Sequence, residues 1–91
     1  MAREEVKVLK VSGSSPTRQT AGSIVKTYEA GYHNIELRAI GASSVNQMFK
    51  AVATASSIFA QKGKILYIRP GYDTADVDGD KTVMIARIVV D

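Results

Sequence analysis

Residues 35–61 read IELRAIGASSVNQMFKAVATASSIFAQ, and a change of period inside this stretch decides the fold. Ile35, Leu37 and Ala39 alternate with Glu36 and Arg38, the two-residue repeat of a half-buried strand. Beyond Gly41, the apolar positions Val45, Met48, Phe49, Val52 and Phe59 recur at spacings of three, four and seven, the repeat of an amphipathic helix. From Ile40 to Gln61 the only charge is Lys50, although 23% of the chain is charged. The other side of this helix carries Asn46, Lys50, Ala53 and Ser57, small and nearly uncharged. Such a face suits a second subunit, a nucleic-acid backbone, or burial within the chain itself.

Working outward, Val6 to Val11 has the alternation of a first strand, and Ser12-Gly13-Ser14-Ser15-Pro16 breaks it. Proline suits the first turn of a helix and a preceding serine can cap the free N–H groups, so a helix begins there. Its buried stripe is Ala21, Ile24, Val25 and Tyr28, and Gly31 ends it. Two strand-helix units in succession favour a parallel strand pair with a right-handed crossover. Gln61-Lys62-Gly63 closes the second helix, and Ile65 to Arg69 forms a third strand stopped by Pro70 and Gly71. Thr82 to Val90 is apolar on both faces, as in a strand that is central or covered by a partner. The expected architecture is a single α+β domain over residues 1–91. Its order is β-α-β-α-β-β, with two helices on one face of a four-stranded mixed sheet and a hairpin across Gly71 to Lys81.

Ninety-one residues without cysteine must rely on packing, and a small core of this kind often gains stability from an oligomer interface. No apolar run is long enough to span a membrane, and MAREEVKVLKV is charged where a signal peptide is apolar, so a soluble cytoplasmic protein is expected. The net charge of +3 is unevenly spread. Val6 to Tyr72 holds nine basic residues against Glu29 and Glu36, whereas the last nineteen positions hold five aspartates against Lys81 and Arg87. The basic body favours an anionic partner.

Catalysis is not expected: His33 is the single histidine and cysteine is absent, so a nucleophilic arrangement could be assembled only around that one ring, which sits between Tyr32 and Asn34 as a loop residue. Asp76, Asp78 and Asp80 alternate as in a calcium loop, but Gly79 falls at the fourth position instead of the sixth, and Arg87 stands where the bidentate glutamate belongs. Asp78-Gly79 reads instead as a hairpin turn. No phosphate-loop or dinucleotide fingerprint is present, and neither metal, cofactor nor small-molecule substrate is expected. The better candidates are the two strand-to-helix junctions, Gly13-Ser14-Ser15-Pro16 and Gly41-Ala42-Ser43-Ser44. There, free N–H groups and the helix dipole can hold a phosphate, on one edge of the sheet. Lys10, Arg18, Arg38 and Lys50 lie near them.

LKVSGSSPTRQTAG (Leu9 to Gly22) and AIGASSVNQMFKAVATA (Ala39 to Ala55), with the Asn46-Gln47 pair and Lys50-Ala51-Val52, closely resemble the bacterial stage V sporulation protein S family over about Leu9 to Val90. That family is similar in fold to the Alba chromatin proteins, which are dimers that bind DNA and RNA. The resemblance implies an Alba-like sandwich, a homodimer, a nucleic-acid surface and a regulatory role in sporulation. The phosphate contacts would fall to Lys10, Ser14, Ser15, Arg18, Arg38, Ser43, Ser44, Asn46 and Lys50. Alba proteins carry lysines at the first junction, arginines at the second and a basic hairpin. This chain has Ser14 and Ser15, then Ile40-Gly41-Ala42-Ser43, then Asp73, Asp76, Asp78 and Asp80. Binding to DNA or RNA is therefore expected to be weak and of low specificity. The alternative is a protein-interaction or assembly factor that keeps the fold without the polyanion site.

Overall fold

Strand β1 (Arg3–Val11) leads into helix α1 (Thr17–Glu29), β2 (Tyr32–Ile40), α2 (Ala42–Gln61), β3 (Leu66–Ala75) and β4 (Lys81–Val90). The computed structural model describes residues 3–75 and 81–91. β1 pairs parallel with β2, β2 antiparallel with β4, and β4 antiparallel with β3, giving the order β1-β2-β4-β3. This is the expected α+β arrangement with a four-stranded mixed sheet. β4, apolar on both faces, is an inner strand flanked by β2 and β3.

Both helices lie on one face. Ala21, Ile24 and Val25 of α1 join Met48, Val52, Ala55 and Phe59 of α2 in a single core with Ile35, Leu37, Ala39, Ala86, Ile88, Leu66 and Val11 of the sheet. Phe59 is fully buried, which contributes about 1.5–3 kcal/mol. It meets the Tyr28 ring edge-on at 5.3 Å. β2 turns into α2 across the single residue Gly41, whose φ of 88° is open to glycine and strained for other residues.

Four local expectations are corrected. β3 is not stopped at Arg69 but runs through Pro70 and Gly71 to Ala75. As an edge strand it tolerates a residue with no N–H to donate. His33 lies inside β2, near its start, instead of in a loop. Phe49, assigned to the buried stripe of α2, is 62% exposed, on the side of Asn46, Lys50, Ala53 and Ser57. No serine caps α1: Pro16 itself occupies the N-cap position, in an extended conformation and with no side-chain cap. Asp76, Asp78 and Asp80, with the Asp78-Gly79 turn, lie outside the described residues.

Among the described residues no helix covers the other face of the sheet. Register places Val6, Val8 and Lys10 beside Asn34, Glu36, Arg38 and Ile40, then Val83, Ile85 and Arg87, and finally Arg69, Gly71 and Asp73. Among the described residues no helix is long and apolar enough to cross a membrane.

Candidate functional site

The two strand-to-helix junctions meet. Gly13 lies so close to Ser43 that a β-carbon on residue 13 would overlap the Ser43 hydroxyl and stand 3.2 Å from its β-carbon. The Gln47 side chain reaches across from α2, its Nε2 donating to the Ser15 carbonyl at 2.9 Å and to the Thr17 hydroxyl at 3.5 Å. One contact and one amide thus fix the two helix starts to each other.

The first junction is a turn closed by the Ser15 N–H donating to the Ser12 carbonyl at 3.1 Å. Its hydroxyls serve one another: Ser12 Oγ lies 3.2 Å from both Ser14 Oγ and Ser15 Oγ, and the Ser12 N–H donates to Ser15 Oγ at 2.8 Å. None of them caps α1. The first helical N–H groups to find intrahelical carbonyls are those of Thr20, bonded to Pro16, and Val45, bonded to Gly41. In each helix the preceding N–H groups, of Thr17 to Gln19 and of Ala42 to Ser44, have no side-chain cap, and neither first turn holds an acidic residue. These six donors, at the positive ends of two helix dipoles on one edge, are a ready-made environment for an oxyanion.

The nine sequence-predicted residues separate into groups. Ser14, Ser15, Ser43 and Ser44 form the two junctions. Lys10 and Arg18 are exposed close by, and their side chains make no ion pair among the described residues. Asn46 and Lys50 are exposed on α2, one and two turns beyond its start. Arg38 lies beside Lys10 in register, on the sheet face away from the helices. Its Nη2 lies 3.1 Å from Asp73 Oδ2 and its Nε 3.5 Å from Glu36 Oε2. That Nε is buried and makes no well-aligned hydrogen bond, so its contact with Glu36 is ionic only. Glu36, 8% exposed, is shared with Arg87, whose Nη2 donates to Oε1 at 3.1 Å. Arg38 is therefore a member of an ion network and not a free cation at the junctions.

A family model described as Stage V sporulation protein S matches residues 7–91. The chain belongs to that family. The SpoVS match spans both junctions, the Glu36 network and strands β2, β3 and β4, and leaves out only the first residues of β1. Membership places this SpoVS chain among small sporulation-related proteins. It also accounts for the likeness carried by Leu9 to Gly22 and Ala39 to Ala55, the two segments that build the paired junctions. The contact of Gly13 with Ser43, the brace made by Gln47 and the Glu36 network were not visible in the SpoVS sequence. Each acts through a partner on another element, and only the two packed junctions and the strand register bring those partners together. Among the described residues no group of three or more potential metal ligands forms.

Proposed function

We propose that the protein is a small cytoplasmic regulatory factor that binds nucleic acid as a homodimer, weakly and with little sequence preference, and is not an enzyme. The observation that carries this reading is the pair of uncapped, acid-free helix starts held side by side by Gly13, Ser43 and Gln47. Backbone N–H groups recognise phosphate without regard to base sequence, and Lys10, Arg18 and Lys50 supply the long-range attraction. The exposed arc of α2 supports the dimer. By helical geometry Phe49, Ala53 and Ala60 lie along one flank of it, while Ser43, Lys50 and Gln61 lie along the other. Two copies pairing through the Phe49 flank bury an exposed aromatic ring and leave Ser43 and Lys50 open to a phosphate backbone.

Titration of labelled duplex and single-stranded oligonucleotides at two salt concentrations tests the proposal. The expected result is affinity that falls steeply with salt, each phosphate contact adding about 0.9 to the logarithmic slope on duplex DNA. The Arg18→Ala, Lys50→Ala double variant should bind more weakly and with a shallower slope. A second reading, an assembly factor that binds protein alone, is favoured by the exposed Phe49 and by the engagement of Arg38 with carboxylates. Absence of binding at low salt selects it.

A further inference from the structure

Near the start of β2, about 20 Å along the strand from the paired junctions, a second feature lies between β2, β4 and β3. Arg69 and Arg87 are direct cross-strand partners, on the helix-free face. Like charges at such positions repel, and their presence calls for a counter-charge. Arg87 has Glu36, but that carboxylate also faces Arg38, and the side chain of Arg69 has no ion pair or hydrogen bond among the described residues. A hollow of about 300 Å³ opens beside the two arginines, lined also by Tyr28, His33, Asn34 and Val89. The His33 ring is held against Tyr28, the centroids 5.0 Å apart and the planes within 16°.

We infer that this hollow is a binding site for the phosphate group of a small phosphomonoester. A guanidinium carries five N–H donors, and Glu36 engages Nη2 of Arg87, so Arg87 keeps donors for a second acceptor while those of Arg69 have no acceptor among the described residues. Two forked cations match a doubly charged tetrahedral oxyanion better than they match a carboxylate, which brings one charge for two. His33 lines the same hollow with its ring stacked on Tyr28, which makes it a reporter of occupancy. Asn34 already has a hydrogen-bonding or electrostatic partner and serves as wall. The site is independent of the junctions proposed for nucleic acid.

His33 is the single histidine, so its ring protons are an unambiguous NMR reporter in the full-length protein. At fixed pH, millimolar inorganic phosphate and adenosine monophosphate should shift the His33 signals and the backbone amides of Arg69 and Arg87, while adenosine and acetate should not. Arg69→Ala is expected to weaken the response roughly tenfold or more, and Arg18→Ala to leave it unchanged. Arg69 is exposed and has no side-chain partner among the described residues, so folding should survive the change. Arg69→Glu serves as a second variant: it places a carboxylate opposite Arg87, and should raise Tm while abolishing the phosphate response. No shift with either phosphate probe, shifts confined to residues 17–19 and 42–44, or an undiminished response in Arg69→Ala would overturn the assignment. So would shifts at His33 seen with an oligonucleotide but not with the small phosphates, which would make the hollow an extension of the nucleic-acid surface.

Discussion

Gly13 and Ser43, thirty residues apart in the chain, are packed so tightly that the absence of a side chain at position 13 is what lets the two helix starts touch. The backbone at Gly13 is not in the left-handed region that favours glycine, so space and not torsion sets the requirement. Gly13→Ala should therefore cost about 1 kcal/mol through overpacking, offset in part by a stiffer unfolded chain. In a Ser43→Ala background the hydroxyl that blocks the new methyl is gone, and the cost should shrink. Urea denaturation of the four-member cycle measures the coupling, and additive effects would contradict the contact.

Gln47 braces the junctions without carrying charge. Gln47→Ala should lower stability by about 1 kcal/mol through loss of the bond to the Ser15 carbonyl. Oligonucleotide affinity should drop several-fold with an unchanged salt slope, because the variant misplaces donors but removes no cation. A changed slope would show that Gln47 acts in some other way.

Glu36 is the buried counter-charge of the helix-free face. Glu36→Gln leaves Arg38 with Asp73 alone and Arg87 with no carboxylate among the described residues. The expected loss is roughly 2 kcal/mol, less than a fully buried pair would lose, since both arginines remain in contact with solvent. Added salt screens the repulsion left among the arginines, so the difference between wild type and variant in chemical denaturation should narrow as ionic strength rises.

Phe49 separates stability from assembly. With its ring 62% exposed, Phe49→Glu should change monomer stability by no more than about 0.5 kcal/mol. Sedimentation should show the wild type at twice 9.8 kDa and the variant at 9.8 kDa at micromolar concentration. Equal masses for the two proteins would remove Phe49 from the interface.

Much of the fold was legible along the chain because its signals are local. The alternation of Ile35, Leu37 and Ala39 and the helical recurrence of Met48, Val52 and Phe59 each depend only on which residues share a face. Those residues are buried as read. Gly31 after α1 has the positive φ that its helix-ending position suggested. Phe49 defeated the same reasoning. On a helix it neighbours Met48 closely enough to join an apolar stripe, and only the position of α1 and the sheet decides which flank of α2 is covered. Pro70 misled for a related reason: it ends a strand that must donate on both sides, and nothing near it in sequence shows that β3 would be an edge.

The sequence by itself determined the element order, the faces of the strands and helices, the family and the two serine-rich junctions, since period, turn chemistry and motif are written in consecutive residues. Only the tertiary structure decided that Gly13 meets Ser43, that Glu36 is shared by Arg38 and Arg87, and that Arg69 stands opposite Arg87. Those pairings follow from the strand order β1-β2-β4-β3 and its register. A one-residue slip would move every side chain of a strand to the other face.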